Sequence, residues 1–367
     1  MRRLLDWVPV VLGIALLSTL VALQWHRTIR GQNDFVALYA GGKLVGTPDL
    51  YSRTANEALI KSVLGVTMES VVYTRPPFYA ALLKPLTFLP YLAAYGIFCA
   101  LCISSILWFI TRFSKECEAL PLYASFSIPL AAFLPQGQDT PFLLTFTGVS
   151  ILLTRQGRDF LAGMALSMCA IKFHLFLLIP LLLLAKKRWR ILAGAVTGTG
   201  VLLLLGVLVA GRRSFEQYAG ILRDPWINFS VDMMPNIHGL AASLAGGTAA
   251  SSIEIGIVGA VVAAFLWICQ RTDNYEFLFA LSLLCGLLVS YHSGISDQIL
   301  LLLVFVLIVN SRVEKPVRIA VALSLTPIPY FTGIGVNVVI PAMLLVVLAL
   351  AAVGVIQRVD RVVPAVT

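Results

Sequence analysis

The chain has 367 residues and a formal net charge of +9; 59% of its residues are hydrophobic, only 12% are charged, and its mean hydropathy is +0.90. A water-soluble domain of this size could not keep so much apolar surface away from solvent, so the composition excludes one and indicates a polytopic membrane protein. The basic balance is read as a topology determinant and not as a nucleic-acid surface.

Lipid offers no partners to backbone polar groups, and the apolar runs are continuous instead of alternating, so helices are expected and barrel strands are not. The apolar runs predict about twelve spans, at 7–24, 90–111, 119–134, 141–154, 160–171, 174–185, 191–210, 252–270, 276–291, 298–310, 317–330 and 337–357. Several central runs fall short of the ~17 to 25 residues that cross a bilayer comfortably, so neighbouring pairs are candidates for re-entrant segments. Arg2 and Arg3 precede the first run as in a signal peptide, but the run is long and no small-x-small site closes it before Gln24-Trp25-His26. An uncleaved first helix is therefore expected. The chain reads as one membrane domain, 1–367, with a first outer loop at 25–89 and a second at 211–250. Both termini fall in the cytoplasm, because the short loops on that side collect Arg112, Lys115, Arg155, Arg158, Lys186, Lys187, Arg188 and Arg190.

The first outer loop carries Asn33-Asp34-Phe35, then Gly46 to Tyr51, then Tyr73-Thr74-Arg75-Pro76-Pro77. Asp34 opens a short amphipathic helix whose Phe35, Val36, Leu38 and Tyr39 are expected to rest on the membrane interface. A carboxylate near apolar surface has a raised proton affinity, which suits a general base. Asn33 or Asp34 equally suits an N-cap, so both readings stand. Arg75-Pro76-Pro77 and Lys84-Pro85 break the chain twice, so this stretch is expected to lie along the membrane and not to span it. Arg75 suits a bidentate anion, or an outer headgroup.

Further on, Gln136-Gly137-Gln138-Asp139 forms a polar turn, and Lys172 and His174 interrupt the apolar run from Leu161 to Leu184. Ionisable groups at membrane depth face a cavity or a partner. A cation there suits a phosphate, whereas the plain alternative is a lysine snorkelling from a helix end. Gly194 and Gly198 form a small-xxx-small pair read as close helix packing. In the second loop, Trp226 to Ser230 and Asn236-Ile237-His238 mix aromatic and amide groups as sugar-binding surfaces do; Asn228-Phe229-Ser230 is also a glycosylation sequon. Tyr291-His292 and Asp297 follow; Asp297 suits a helix cap, and His292 has no evident structural need. Cys99 and Cys102 have a metal-like spacing without further ligands nearby, so no metal site is expected. No phosphate-binding glycine loop occurs, which disfavours a nucleotide-dependent mechanism. Sorted by side, the polar groups fall outside, and one outward-facing polar cavity accounts for them.

Taken in order, these pieces resemble glycosyltransferase family 87, the integral-membrane group of polyprenol-phosphate-mannose-dependent mannosyltransferases and arabinofuranosyltransferases of envelope synthesis. The resemblance rests on Asp34-Phe35 with Tyr39-Ala40, Gly46 to Tyr51, Tyr73 with Pro76-Pro77, and Pro85-Leu86 with Leu89-Pro90 and Ala94. It continues through Gly137-Gln138, Ala162-Gly163 leading to Lys172, Arg188-Trp189, and Asn228 with Ser230. It implies an all-α, GT-C-like bundle of about twelve transmembrane helices with short amphipathic helices in the first outer loop. It also implies the base role for Asp34, and for Arg75, Lys172 and His292 a part in handling a lipid-phosphate leaving group. Tyr73, Gln138, His174, Asn228 and His238 join the same donor and substrate pocket. Phe173 stands where the family pattern has proline and Asp139 where it has asparagine; both departures touch pocket walls and put the substrate's identity in question.

The expected activity is inverting transfer of a mannose-like hexose or arabinofuranose from a polyprenyl-phosphate donor to an acceptor hydroxyl, at the outer face of the cytoplasmic membrane. The expected partners are the bilayer, the polyprenyl-phosphate sugar and a glycolipid or glycan acceptor, with no cofactor, no metal and no nucleic acid. Two rivals are a secondary transporter of a polar solute or lipid-linked precursor, which would hold its polar groups near the midplane in related halves, and a non-catalytic assembly scaffold.

Overall fold

In the computed structural model, residues 7–68, 71–224, 231–311 and 313–362 are described. The chain is 78% helix, with no strand among those residues, so the expected helical class holds. Among the described residues, five helices are long and apolar enough to cross a membrane: Tyr91–Phe113, Asp159–Phe176, Trp189–Ala210, Gly247–Arg271 and Val336–Gln357. Val8–Leu23, Phe35–Leu44, Thr140–Arg155, Tyr275–Val289 and Ile295–Asn310 are apolar but shorter.

The expected spans differ from this wherever polar residues and prolines cut an apolar run. The run 119–134 is split into Leu120–Ser125 and Ile128–Gln136, separated at Phe126-Ser127 and followed by Gly137 at φ 65°. The pair 160–171 and 174–185 is not two spans meeting in a loop. One helical segment, Asp159–Phe176, contains a break at Lys172 (φ −128°, ψ 56°), and Leu178–Ala185 follows it. The run 317–330 yields the ten-residue helix Lys315–Ser324 and a single short turn, Ile328–Tyr330.

The first loop is packed into the protein. Ser52 caps Arg53–Leu64 by accepting from Ala55 N, and Gly65 ends that helix at φ 71°. In Phe35–Leu44 the residues expected at the membrane interface are instead buried: Phe35 stacks among Tyr39, Tyr91, Tyr95 and Phe98, with ring centroids 4.6–6.4 Å apart. An apolar face on a loop helix can be covered by protein as well as by lipid, and the start of Tyr91–Phe113 supplies that cover here. Residues 77–88 form two short pieces, Pro77–Leu83 and Lys84–Phe88, as the prolines require.

Gly163 and Gly194 lie against each other's helices. A Cβ on Gly163 would stand 1.9 Å from the Ile191 carbonyl oxygen, and one on Gly194 would stand 2.0 Å from that of Phe160. Gly198 similarly faces Ser167 Oγ. The expected close packing thus joins Asp159–Ser167 to Trp189–Ala210 by near-backbone contact.

The two ends of the bundle carry different chemistry. At one end Arg155 binds both Glu276 and Glu116, Arg112 binds Glu116, and Arg188 lies 4.7 Å over the Tyr275 ring. At the other end, the start of Thr140–Arg155 and the finish of Tyr275–Val289 border a polar cavity. Replacing Gly194 by Leu forces side-chain atoms into the Phe160 carbonyl. We expect a destabilisation of about 1–3 kcal/mol or more, read as a lowered thermal midpoint of the detergent-solubilised protein.

Candidate active site

A cavity of about 400 Å³, within the usual range for small-molecule sites, is lined by residues from segments distant in sequence. Asp34, Leu38, Val71, Val72, Thr74 and Arg75 come from the first loop; Gln136, Gly137 and Gln138 come from the turn before Thr140–Arg155. Lys172 and His174 come from the helix break, Met233 and Met234 from the second loop, and His292 to Asp297 from the turn before Leu301–Asn310.

Lys172 is 2% exposed, and it does not snorkel. The break in its helix turns the ammonium inward, where Nζ donates to Asp297 Oδ1 at 2.6 Å, Gln138 Oε1 at 2.9 Å and Thr140 Oγ1 at 3.1 Å. Asp139 Oδ1 lies 3.3 Å away as a second counter-charge. All three ammonium N–H groups are therefore engaged within the protein. A buried ion of this kind persists only when its charge and hydrogen bonds are both matched. Asp297 does act as the expected cap, accepting from Gly294 N at 2.8 Å, but its other oxygen holds Lys172 and the Thr140 hydroxyl.

Arg75 Nε lies 3.3 Å from Asp139 Oδ2, and an Arg75 terminal nitrogen lies 3.5 Å from Gln138 Oε1. Its backbone is positioned from the first loop: Tyr51 donates its hydroxyl to the Arg75 carbonyl at 2.7 Å, and buried Asn56 accepts from Tyr73 N while donating to Leu50 and Ser52. Asp139 is buried, which alone would raise its proton affinity, but Arg75 and Lys172 outweigh burial and hold its carboxyl below the usual range. Arg75 and Lys172 thus balance Asp139 and Asp297 in a compact four-charge frame.

Asp34 stands outside that frame. It occupies the N-cap position of Phe35–Leu44 yet makes no capping bond; Asn33 takes the local role, its Oδ1 accepting from Phe35 N at 3.2 Å. The Asp34 carboxylate is open to the cavity and accepts from Gln138 Nε2 at 2.5 Å. Surrounding protein raises its proton affinity above that of an ordinary carboxylate, against the opposing pull of Arg75, Lys172 and the Gln138 hydrogen bond.

His174 and His292 face each other on the remaining wall, with ring centroids 6.2 Å apart, and Tyr291 lies 5.3 Å from His174. Burial, with Arg75 and Lys172 nearby, holds His292 down to about 4 despite Asp297, so it is neutral at neutral pH. Two candidates from the sequence lie off the cavity lining. Tyr73 is fully buried, donates to the Pro76 carbonyl and packs on Gly41, so it braces the loop. His238, on Ile237–Leu244 within the second loop, pairs with Glu254 of Gly247–Arg271 at 2.9 Å. Asn228 lies outside the described residues. Sequence reasoning placed Asp139 in the polar turn and noted it as a departure from the family pattern but gave it no role, and it passed over Thr140 and Asn56. Their roles come from burial and partners that residue type alone does not reveal. No group of three or more potential metal ligands occurs among the described residues.

A helical, strongly apolar protein in which Asp34, Arg75, Lys172, His174, His292 and Asp297 line one cavity at an end of the bundle is a membrane protein with a polar site at that end. The sequence profile of glycosyltransferase family 87 matches residues 73–291, more than half of the chain. The chain belongs to glycosyltransferase family 87 and is a membrane glycosyltransferase. No curated protein and no solved structure matches it. Arg75, Gln138, Asp139, Lys172 and His174 lie inside the matched segment, whereas Asp34, His292 and Asp297 lie outside it.

Removing the Lys172 charge strands the buried Asp297 carboxylate and leaves Asp139 with Arg75 alone. We expect Lys172→Met to lower stability by about 3–5 kcal/mol, as measured by thermal or denaturant unfolding. Adding Asp297→Asn should recover part of that loss, giving a non-additive double-mutant cycle.

Proposed function

We propose that this glycosyltransferase moves a sugar from a polyprenyl-phosphate donor to an acceptor hydroxyl with inversion, and that Asp34 is the general base. The observation that carries the proposal is the placement of an uncapped, cavity-facing carboxylate of raised proton affinity beside the Arg75 and Lys172 frame, with Gln138 between them. In this reading the acceptor hydroxyl gives its proton to Asp34 as its oxygen attacks the anomeric carbon. The bond from that carbon to the phosphate oxygen breaks on the opposite face.

The roles expected for the cations are redistributed. Among the described residues Arg75 donates to Asp139 and Gln138 alone, which leaves donors for the departing phosphate. Lys172 is saturated and serves by holding the frame together. Because the four frame charges balance, the phosphate is held by directed hydrogen bonds from Arg75 and not by surplus positive charge. Neutral His292 both donates and accepts, which suits sugar hydroxyls. Val71, Val72, Met233 and Met234 supply an apolar wall suited to the lipid end of the donor.

The basic end formed around Arg112, Arg155 and Arg188 faces the cytoplasm under the positive-inside rule, so the cavity at the other end opens outward. The GT-C-like architecture, the polyprenyl-phosphate donor and a mannose-like or arabinofuranose sugar are parts of the same proposal. Membership in a glycosyltransferase family weighs against the transporter reading.

Asp34→Asn should lower transfer from a polyprenyl-phosphate sugar roughly 10²- to 10⁴-fold, followed as release of the lipid phosphate. In the wild type, activity should fall as pH drops through the raised Asp34 pKa, so the acid limb should lie above that of an ordinary carboxylate. Undiminished turnover by Asp34→Asn would remove Asp34 from the mechanism.

A further inference from the structure

We propose that Gln138 is a positioning residue whose amide holds the Asp34 carboxylate in a single orientation by tethering it to Arg75 and Lys172. This rests on the reading of Asp34 as the base, and it assigns Gln138 to the machinery instead of to substrate contact.

The backbone brings the two residues together. Asp34 N donates to the Gln136 carbonyl at 3.1 Å, and Gln138 N donates to that of Phe133 at 3.0 Å, closing the turn after Ile128–Gln136. Gly137 sits between them at φ 65°, where a Cβ would stand 2.3 Å from Asn33 Oδ1, so the two segments touch with no room to spare. Asn33 is itself fixed by donating to the Tyr95 hydroxyl at 2.9 Å.

Chemistry then settles which way the amide points. Its oxygen faces Lys172 Nζ and Arg75, and its nitrogen faces Asp34 Oδ2. A flipped amide would set N–H groups against two cations and an oxygen against a carboxylate. Two cations on one side and an anion on the other therefore lock it. With Asp34 Oδ2 occupied by the amide, Oδ1 is left to receive the acceptor's proton. The same bond stabilises ionised Asp34, opposing the desolvation imposed by the surrounding protein. The other charged and titratable groups around the carboxylate are Arg75 from the first loop, Asp139 from the polar turn, and Lys172 from the helix break. His174, His292 and Asp297 lie across the cavity.

The test compares wild type, Gln138→Ala and Gln138→Glu as full-length proteins in lipid nanodiscs. The readouts are transfer kinetics against pH with a polyprenyl-phosphate sugar and, on substrate-free protein, infrared titration of the Asp34 carboxyl band identified by its loss in Asp34→Asn. For Gln138→Ala we expect kcat to fall roughly 10- to 100-fold, with the donor's KM changed by less than about threefold. The acid limb and the infrared midpoint should both move to higher pH, because a hydrogen bond to the charged form is gone. Gln138→Glu retains contact with the cations but, when ionised, cannot donate to Asp34, so it should show the same upward shift even if Gln138→Ala folds poorly. An unmoved infrared midpoint in the folded variants overturns the proposal, as does a defect confined to KM. If wild type transfers no sugar, the proposed function fails, and the infrared result still decides the role of Gln138.

Discussion

The buried ammonium of Lys172 is the constraint on which the rest of the site depends. An isolated charge at this depth is prohibitively unfavourable, so the surrounding chain must deliver matched partners. Asp297, Asp139, Thr140 and Gln138 do so from two separate turns, and the helical break at Lys172 aims the amine at them. Once these groups converge, the positions of Arg75 and of the turn carrying Gln138 are largely determined.

That arrangement divides labour between structure and chemistry. Asp139 and Asp297 neutralise the cations, which makes the polar frame tolerable inside an apolar bundle but also leaves it without surplus charge. Asp34 is the carboxylate outside the balance, and it alone of the three acids has its carboxylate open to the cavity while carrying no cation. A group that need not support the fold is free to change protonation state. The paired acids could not do so without stranding Lys172 or Arg75.

Much of this was legible in the residues. Asp34, Arg75, Gln138, Lys172, His174 and His292 were singled out from sequence, and all line one cavity. The signal was the rarity of polar groups in so apolar a chain, together with prolines and a lysine that interrupt helices. Tyr73 and His238 misled because an aromatic beside prolines and a histidine in a polar loop carry no mark of whether they face a cavity or brace a backbone; the Pro76 carbonyl and Glu254 decided that. The apolar face of Phe35–Leu44 misled for a related reason, since hydrophobicity alone does not distinguish lipid from a neighbouring aromatic cluster.

The sequence by itself determined the helical membrane class, because apolar runs must satisfy their own backbone in lipid, and it determined where polar chemistry is concentrated. Helix lengths within those runs, the saturation of Lys172, the release of Asp34 from capping and the bridging amide of Gln138 were decided only by the tertiary structure. The reason is that these depend on contacts between segments as far apart as Lys172 and Asp297, or Asp34 and Gln138, and no local pattern records such separations.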